Sequence, residues 1–128
     1  MVAKLVSQQG ASKVFILQAL LHDAAEAYMG DLARPIKHSL PLKGYATVER
    51  NLLNMILEKY TQRSFLAEVV KEKDNLVQHT EAKFLLNYEP EWLVSGYIDS
   101  GLGQEFCQPN AMPANVKAKF LDKFLSLV

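Results

Sequence analysis

Apolar residues recur along this chain at three- and four-residue steps, and no stretch alternates apolar with polar positions for long enough to make a strand. The pattern predicts helices throughout. Residues 1–8 have helical character and stop at Gln9-Gly10. Ser12 is placed to cap a second helix that runs to about Met29, where Gly30 ends it. A short turn follows through Asp31 and Arg34, and Pro35 biases the residue before it toward extended backbone. From there the chain reads as a loop punctuated by Pro41 and Gly44. Val48, Leu52, Met55, Ile56 and Tyr60 then share one face of a helix that begins near Tyr45. Thr61 is placed to cap the next segment. In it Phe65, Leu66, Val69, Val70, Leu76, Val77, Phe84 and Leu85 fit one long helix or two joined ones reaching Asn87, with Glu68, Lys71, Glu72 and Lys73 on the wet face. Pro90 allows a short helix from Glu91 to about Ile98. An irregular stretch follows, with Gly101, Gly103, Pro109, Asn110 and Pro113, and an amphipathic helix from Val116 to Leu127 closes the chain. The predicted class is all-α, a bundle of about five to seven helices.

Composition narrows the partners. At 128 residues the chain is expected to form one domain, 1–128, with a core large enough to need no disulfide. Its single cysteine, Cys107, has no internal partner, so a reducing compartment is expected. Lysine plus arginine equal aspartate plus glutamate at 14 each, which leaves no general field to draw in nucleic acid or an anionic membrane. An anionic ligand must therefore be held locally. A helical DNA-binding domain is disfavoured by the same balance and by the absence of a basic recognition helix. No apolar run approaches the roughly twenty residues a membrane span needs, and the N-terminus lacks the pattern of a secretory signal. The expectation is a soluble cytoplasmic protein.

Candidate chemistry is concentrated in Leu20-Leu21-His22-Asp23-Ala24-Ala25-Glu26, followed by Tyr28-Met29-Gly30-Asp31. An imidazole beside a carboxylate at the end of an apolar helix is costly to bury unless a cation or a partner compensates. Neighbours on a helix point about 100 degrees apart, so His22 and Asp23 share a cation only if the backbone bends. Glu26 lies one turn beyond His22, and Gly30 lets the chain turn Asp31 back toward that face. Asp74, one turn before Val77, is placed to face inward from a later helix. Taken singly, each has a plainer reading. A histidine near a helix C-terminus is favoured by the helix dipole, and Asp74 follows Lys71-Glu72-Lys73 in what reads as a solvated charge run.

In combination, Leu20 to Lys37 resembles the signature of HD-domain phosphohydrolases. The likeness is greatest to the branch that contains bacterial 5'-deoxynucleotidases and phage or prophage relatives, where His-Asp-x-x-Glu precedes Gly-Asp and Pro-x-Lys. Val70-Lys71-Glu72-Lys73-Asp74, with Glu81-Ala82-Lys83-Phe84-Leu85-Leu86, is similar to that family's helix bearing the last metal-ligating aspartate. The resemblance implies an HD-type helical bundle. It implies a divalent transition metal (Mn, Co, Ni, Fe or Zn) held by His22, Asp23 and Asp74, and a nucleotide or other small phosphomonoester as substrate. Glu26 would be the acid/base, Asp31 a second polar group of the site and Lys37 a phosphate or transition-state contact. Apart from the resemblance, Arg34 lies near the motif and reads equally as a bidentate phosphate clamp or an exposed loop residue.

The family's first histidine would fall, by this register, just before Met1, so the N-terminal helix is expected to be incomplete and the metal weakly bound or absent. Three explanations stay open: a truncated reading frame of an active enzyme, a naturally shortened relative, or a subunit of a homodimer whose symmetry mate covers the exposed face. The alternative function is a catalytically degenerate HD-fold binding module. Neither His38 nor His79 matches the missing position. His79 reads as a surface or packing residue, and His38 as a solvated loop residue or a contact to a substrate phosphate. Trp92, Tyr97 and Phe106 form either core or an aromatic wall for a base, and Tyr28 reads as packing.

Overall fold

The computed structural model describes residues 1–37, 39, 42–86 and 112–128. Among them the chain forms α1 (Val2–Gln8), α2 (Lys13–Leu21), α3 (Glu26–Met29), α4 (Arg34–Lys37), α5 (Lys43–Thr61), α6 (Glu68–Leu86) and α7 (Pro113–Leu125). α3 and α4 are single turns of four residues. No strand occurs among the described residues, so the architecture is the all-α bundle that the periodicity predicts.

α2 is apolar nearly all round, and the reason is its place between the other helices. Ile16 and Ala19 pack into a cluster with Val2, Leu5 and Val6 of α1 and Val70 and Val77 of α6. On its other side Leu17 and Leu21 meet Leu57 of α5, with Leu53, Ile56, Phe124 and Leu127 around them. Leu57 is fully buried, which contributes about 2 kcal/mol relative to exposure. Gln18 is buried in the same helix and both ends of its amide are used: Nε2 donates to the Phe65 carbonyl and Oε1 accepts from the Ala67 amide, each at 3.0 Å. This clamp fastens the α5–α6 connection to α2.

Several expectations are corrected. The helix expected to run to Met29 breaks after Leu21, and His22 to Ala25 form tight turns in which Ala24 N–H bonds Leu21 and Glu26 N–H bonds Asp23. Pro35 does not keep Arg34 extended. It sits in the first turn of α4, where its missing N–H has no partner to lose. Thr61 closes α5 instead of capping α6: its hydroxyl donates to the Leu57 carbonyl at 2.7 Å, and Gln62 follows in the left-handed conformation. Phe65 lies in the connection, exposed. Val48, Met55 and Tyr60 are exposed too, because α5 turns Leu53, Ile56 and Leu57 toward α2. The last helix starts three residues early at Pro113, a favourable first helical residue. The expected helix Glu91 to Ile98, the irregular stretch after it, and Trp92, Tyr97, Phe106, Cys107 and His38 lie outside the described residues, as does the side chain of Arg34.

Candidate metal and phosphoester site

The break in the α2 helix is where the candidate site forms. His22 caps α2 with its side chain only 18% exposed, and its Nε2 stands 2.9 Å from Asp23 Oδ2 and 3.3 Å from Asp74 Oδ1. Asp74 comes from the middle of α6, where Gln78 donates to its other oxygen at 3.4 Å. Its placement follows from the apolar stripe of that helix. Val70 and Val77 are buried against α1, and Asp74 lies four residues after one and three before the other, on the same face. Gln78 and Glu81 continue that face by four and seven residues.

A cavity of about 350 Å³ opens there, lined by His22, Asp23, Glu26, Asp31, Asp74, Gln78 and Glu81 together with Met1, Val2 and Val77. Four of the sequence-predicted carboxylates therefore line one cavity with the imidazole, and two of them, Asp23 and Asp74, contact it. Burial by itself would lower the His22 pKa, but the hydrogen bonds and charges of Asp23 and Asp74 outweigh it and hold the imidazole protonated, up to about 9. Its Nδ1 is buried without a hydrogen-bond partner. Burial, reinforced by the carboxylates of Asp23 and Asp31 against the pull of Lys37, raises the Glu26 carboxyl above its ordinary value. Burial also raises Glu81, with Asp74 and Asp23 adding to it against the opposing N-terminal amine.

Lys37 faces a second cavity of about 210 Å³ bordered by His22, Asp23, Glu26, Glu49 and Arg50. Its Nζ is 2.7 Å from Glu49 Oε1 and 3.9 Å from Glu26 Oε1. Two further residues tie the site together without having been predicted. Glu49 is one, and Tyr45 is the other: its hydroxyl proton is shared between the carbonyls of Met29 at 2.9 Å and Gly30 at 2.8 Å. Gly30 has φ 82°, a conformation that a side chain would strain. Glu81 was in sight as part of the α6 motif, and its seven-residue spacing from Asp74 is the signal that places it. For Glu49 the sequence offers only a charged position on an amphipathic helix.

Tyr28, expected to pack, is 76% exposed. It lines an apolar cavity of about 620 Å³ beside the site with Ile56, Lys59, Tyr60, Phe120 and Phe124. His79 is half-buried on α6 and is absent from the walls of these cavities.

Among the described residues no group of three or more His, Cys, Asp or Glu side chains is arranged to hold a metal ion; His22 instead meets Asp23 and Asp74 directly. By type, an imidazole and two carboxylates are donors that suit a divalent cation, while their 2.9 and 3.3 Å separations are those of direct contacts between the side chains.

No family model matches the chain. It is similar to the uncharacterized protein YfdR of Escherichia coli (strain K12), 37% identical over 71 residues, which is 56% of this chain and 39% of that protein. The chain thus covers well under half of that relative's length. No solved structure matches. No helix among the described residues is long and apolar enough to cross a membrane.

Proposed function

We propose that this chain is a divalent-metal phosphohydrolase of the HD type, acting on a nucleotide or another small phosphomonoester. The observation that carries the reading is the meeting of His22, from the end of α2, with Asp74, from the middle of α6, 3.3 Å apart and with Asp23 beside them. The sheltered member is His22, and burial disfavours its charged form unless partners compensate; Asp23 and Asp74 supply that compensation where α2 ends against α6.

In this reading His22, Asp23 and Asp74 would hold the cation, which when bound would lower the pKa of water and offset phosphoryl charge. The cavity beside them is strongly acidic, and a bare phosphate ester would be repelled from it. Glu26 borders this space with a carboxyl raised by burial, so it holds or gives up a proton nearer neutrality than an ordinary glutamate and serves as the acid/base. Asp31, at the turn fixed by Gly30 and Tyr45, adds an acceptor on the same wall. Lys37 supplies ammonium N–H groups at the neighbouring edge for phosphate oxygens.

The test is metal content after purification, with phosphate release from deoxynucleoside monophosphates by the wild type and by Asp74→Ala. Near-stoichiometric metal and turnover that Asp74→Ala abolishes are expected. A protein that holds no metal and releases no phosphate would refute the enzyme and leave a helical binding module in its place.

A further inference from the structure

We propose that Glu49 is a positioning residue of this site, holding the Lys37 ammonium at its rim and away from Glu26. The inference rests on the phosphohydrolase reading for its kinetic consequence, while the positioning itself rests on geometry alone.

Lys37 ends α4, a turn of four residues, and such a turn is too short to hold itself in place. Its side chain has four rotatable carbons, yet the head group is localised: Nζ lies 2.7 Å from Glu49 Oε1, with the two side chains only 16% and 15% exposed. Glu49 itself stands on α5, a helix of nineteen residues anchored in the core through Leu57. One turn earlier, Tyr45 reaches the carbonyls of Met29 and Gly30. Two successive turns of α5 therefore grip both ends of the segment that carries Asp31 and Lys37.

The competing partner is Glu26, whose Oε1 is 3.9 Å from the same ammonium. Glu49 wins by more than an ångström, in a shielded setting where a short charge-assisted bond is strong. Removing its charge leaves Glu26, at 3.9 Å, as the next carboxylate to Lys37 among the described residues. The ammonium would then close on the very group that must exchange a proton. With Glu49 in place, one N–H direction of Lys37 is taken and the others stay available to a phosphate oxygen.

Two measurements on the full chain test this. The first is the ¹⁵N ammonium signal of Lys37, assigned by its disappearance in Lys37→Met. The wild type should show it in slow exchange and Glu49→Gln should lose it. The second is hydrolysis of p-nitrophenyl phosphate by the Mn²⁺-loaded protein. Glu49→Gln should cut kcat/KM by roughly ten- to a hundredfold, leave Mn²⁺ affinity unchanged, and have almost no further effect in a Lys37→Met background. An absent wild-type signal, a signal that survives in Glu49→Gln, or a kinetic effect equal in both backgrounds overturns the proposal. A wild type that turns over no phosphoester overturns the phosphohydrolase reading instead, and the ammonium signal then decides the role of Glu49 by itself.

Discussion

Asp74→Asn tests the contact on which the site depends, and its effect should vanish with rising pH. In chelator-treated protein His22 is an imidazolium held between Asp23 and Asp74, its pKa raised from 6.5 to about 9 against the opposing effect of burial. That displacement corresponds to about 3 kcal/mol of preference for the charged form. Asp23 is 59% exposed and its share is screened, which leaves about 1–2 kcal/mol for the interaction with the more sheltered Asp74. Because the folded-state pKa is raised, this stabilisation is complete below the unfolded value of 6.5 and is lost as pH climbs through about 9. Urea unfolding of the wild type and Asp74→Asn should therefore show a gap of about 1–2 kcal/mol near pH 6 that closes to a few tenths near pH 10, with equal m-values. The comparison between proteins cancels the lysines and tyrosines that also titrate there. A gap that is constant with pH, or that widens, would refute the ion pair as the source of the coupling.

Two other outcomes follow from the same groups and their supports. Since His22 is protonated at neutrality without metal, Mn²⁺ binding near pH 7.5 should release about one proton per site, read as a dependence of calorimetric heat on buffer ionisation enthalpy. Gln18→Leu leaves the Phe65 carbonyl and the Ala67 amide without their partner and should cost about 2 kcal/mol in urea unfolding, with the loss of protection concentrated in residues 63–67 by hydrogen exchange.

Periodicity made the long helices readable. α5, α6 and α7 begin or end within a few residues of their expected limits because an amphipathic stripe of four or five turns has a single period and few alternatives. The break at His22 was hidden by good helix formers: Ala24, Ala25 and Glu26 all favour continuation. The hydroxyl of Thr61 has two uses, capping the next helix or bonding back to its own, and the sequence does not choose between them.

What the residues determined by themselves is the all-α class and a helix position for Asp74 open to two readings, facing inward or lying in a solvated charge run. That aspartate sits on the Val70–Val77 stripe, and a helix cannot bury those two valines without turning Asp74 the same way. What only the tertiary structure decided is what Asp74 meets, and what holds the rest of the site in place. The packing of α2 against α6 sets the 3.3 Å contact with His22, and the packing of α5 sets the grip of Tyr45 and Glu49 on the Gly30–Lys37 segment. The rotation of a helix about its own axis is a local property, carried by spacing along one segment. The meeting of two helices depends on the shape and volume of every side chain between them, which no single segment contains.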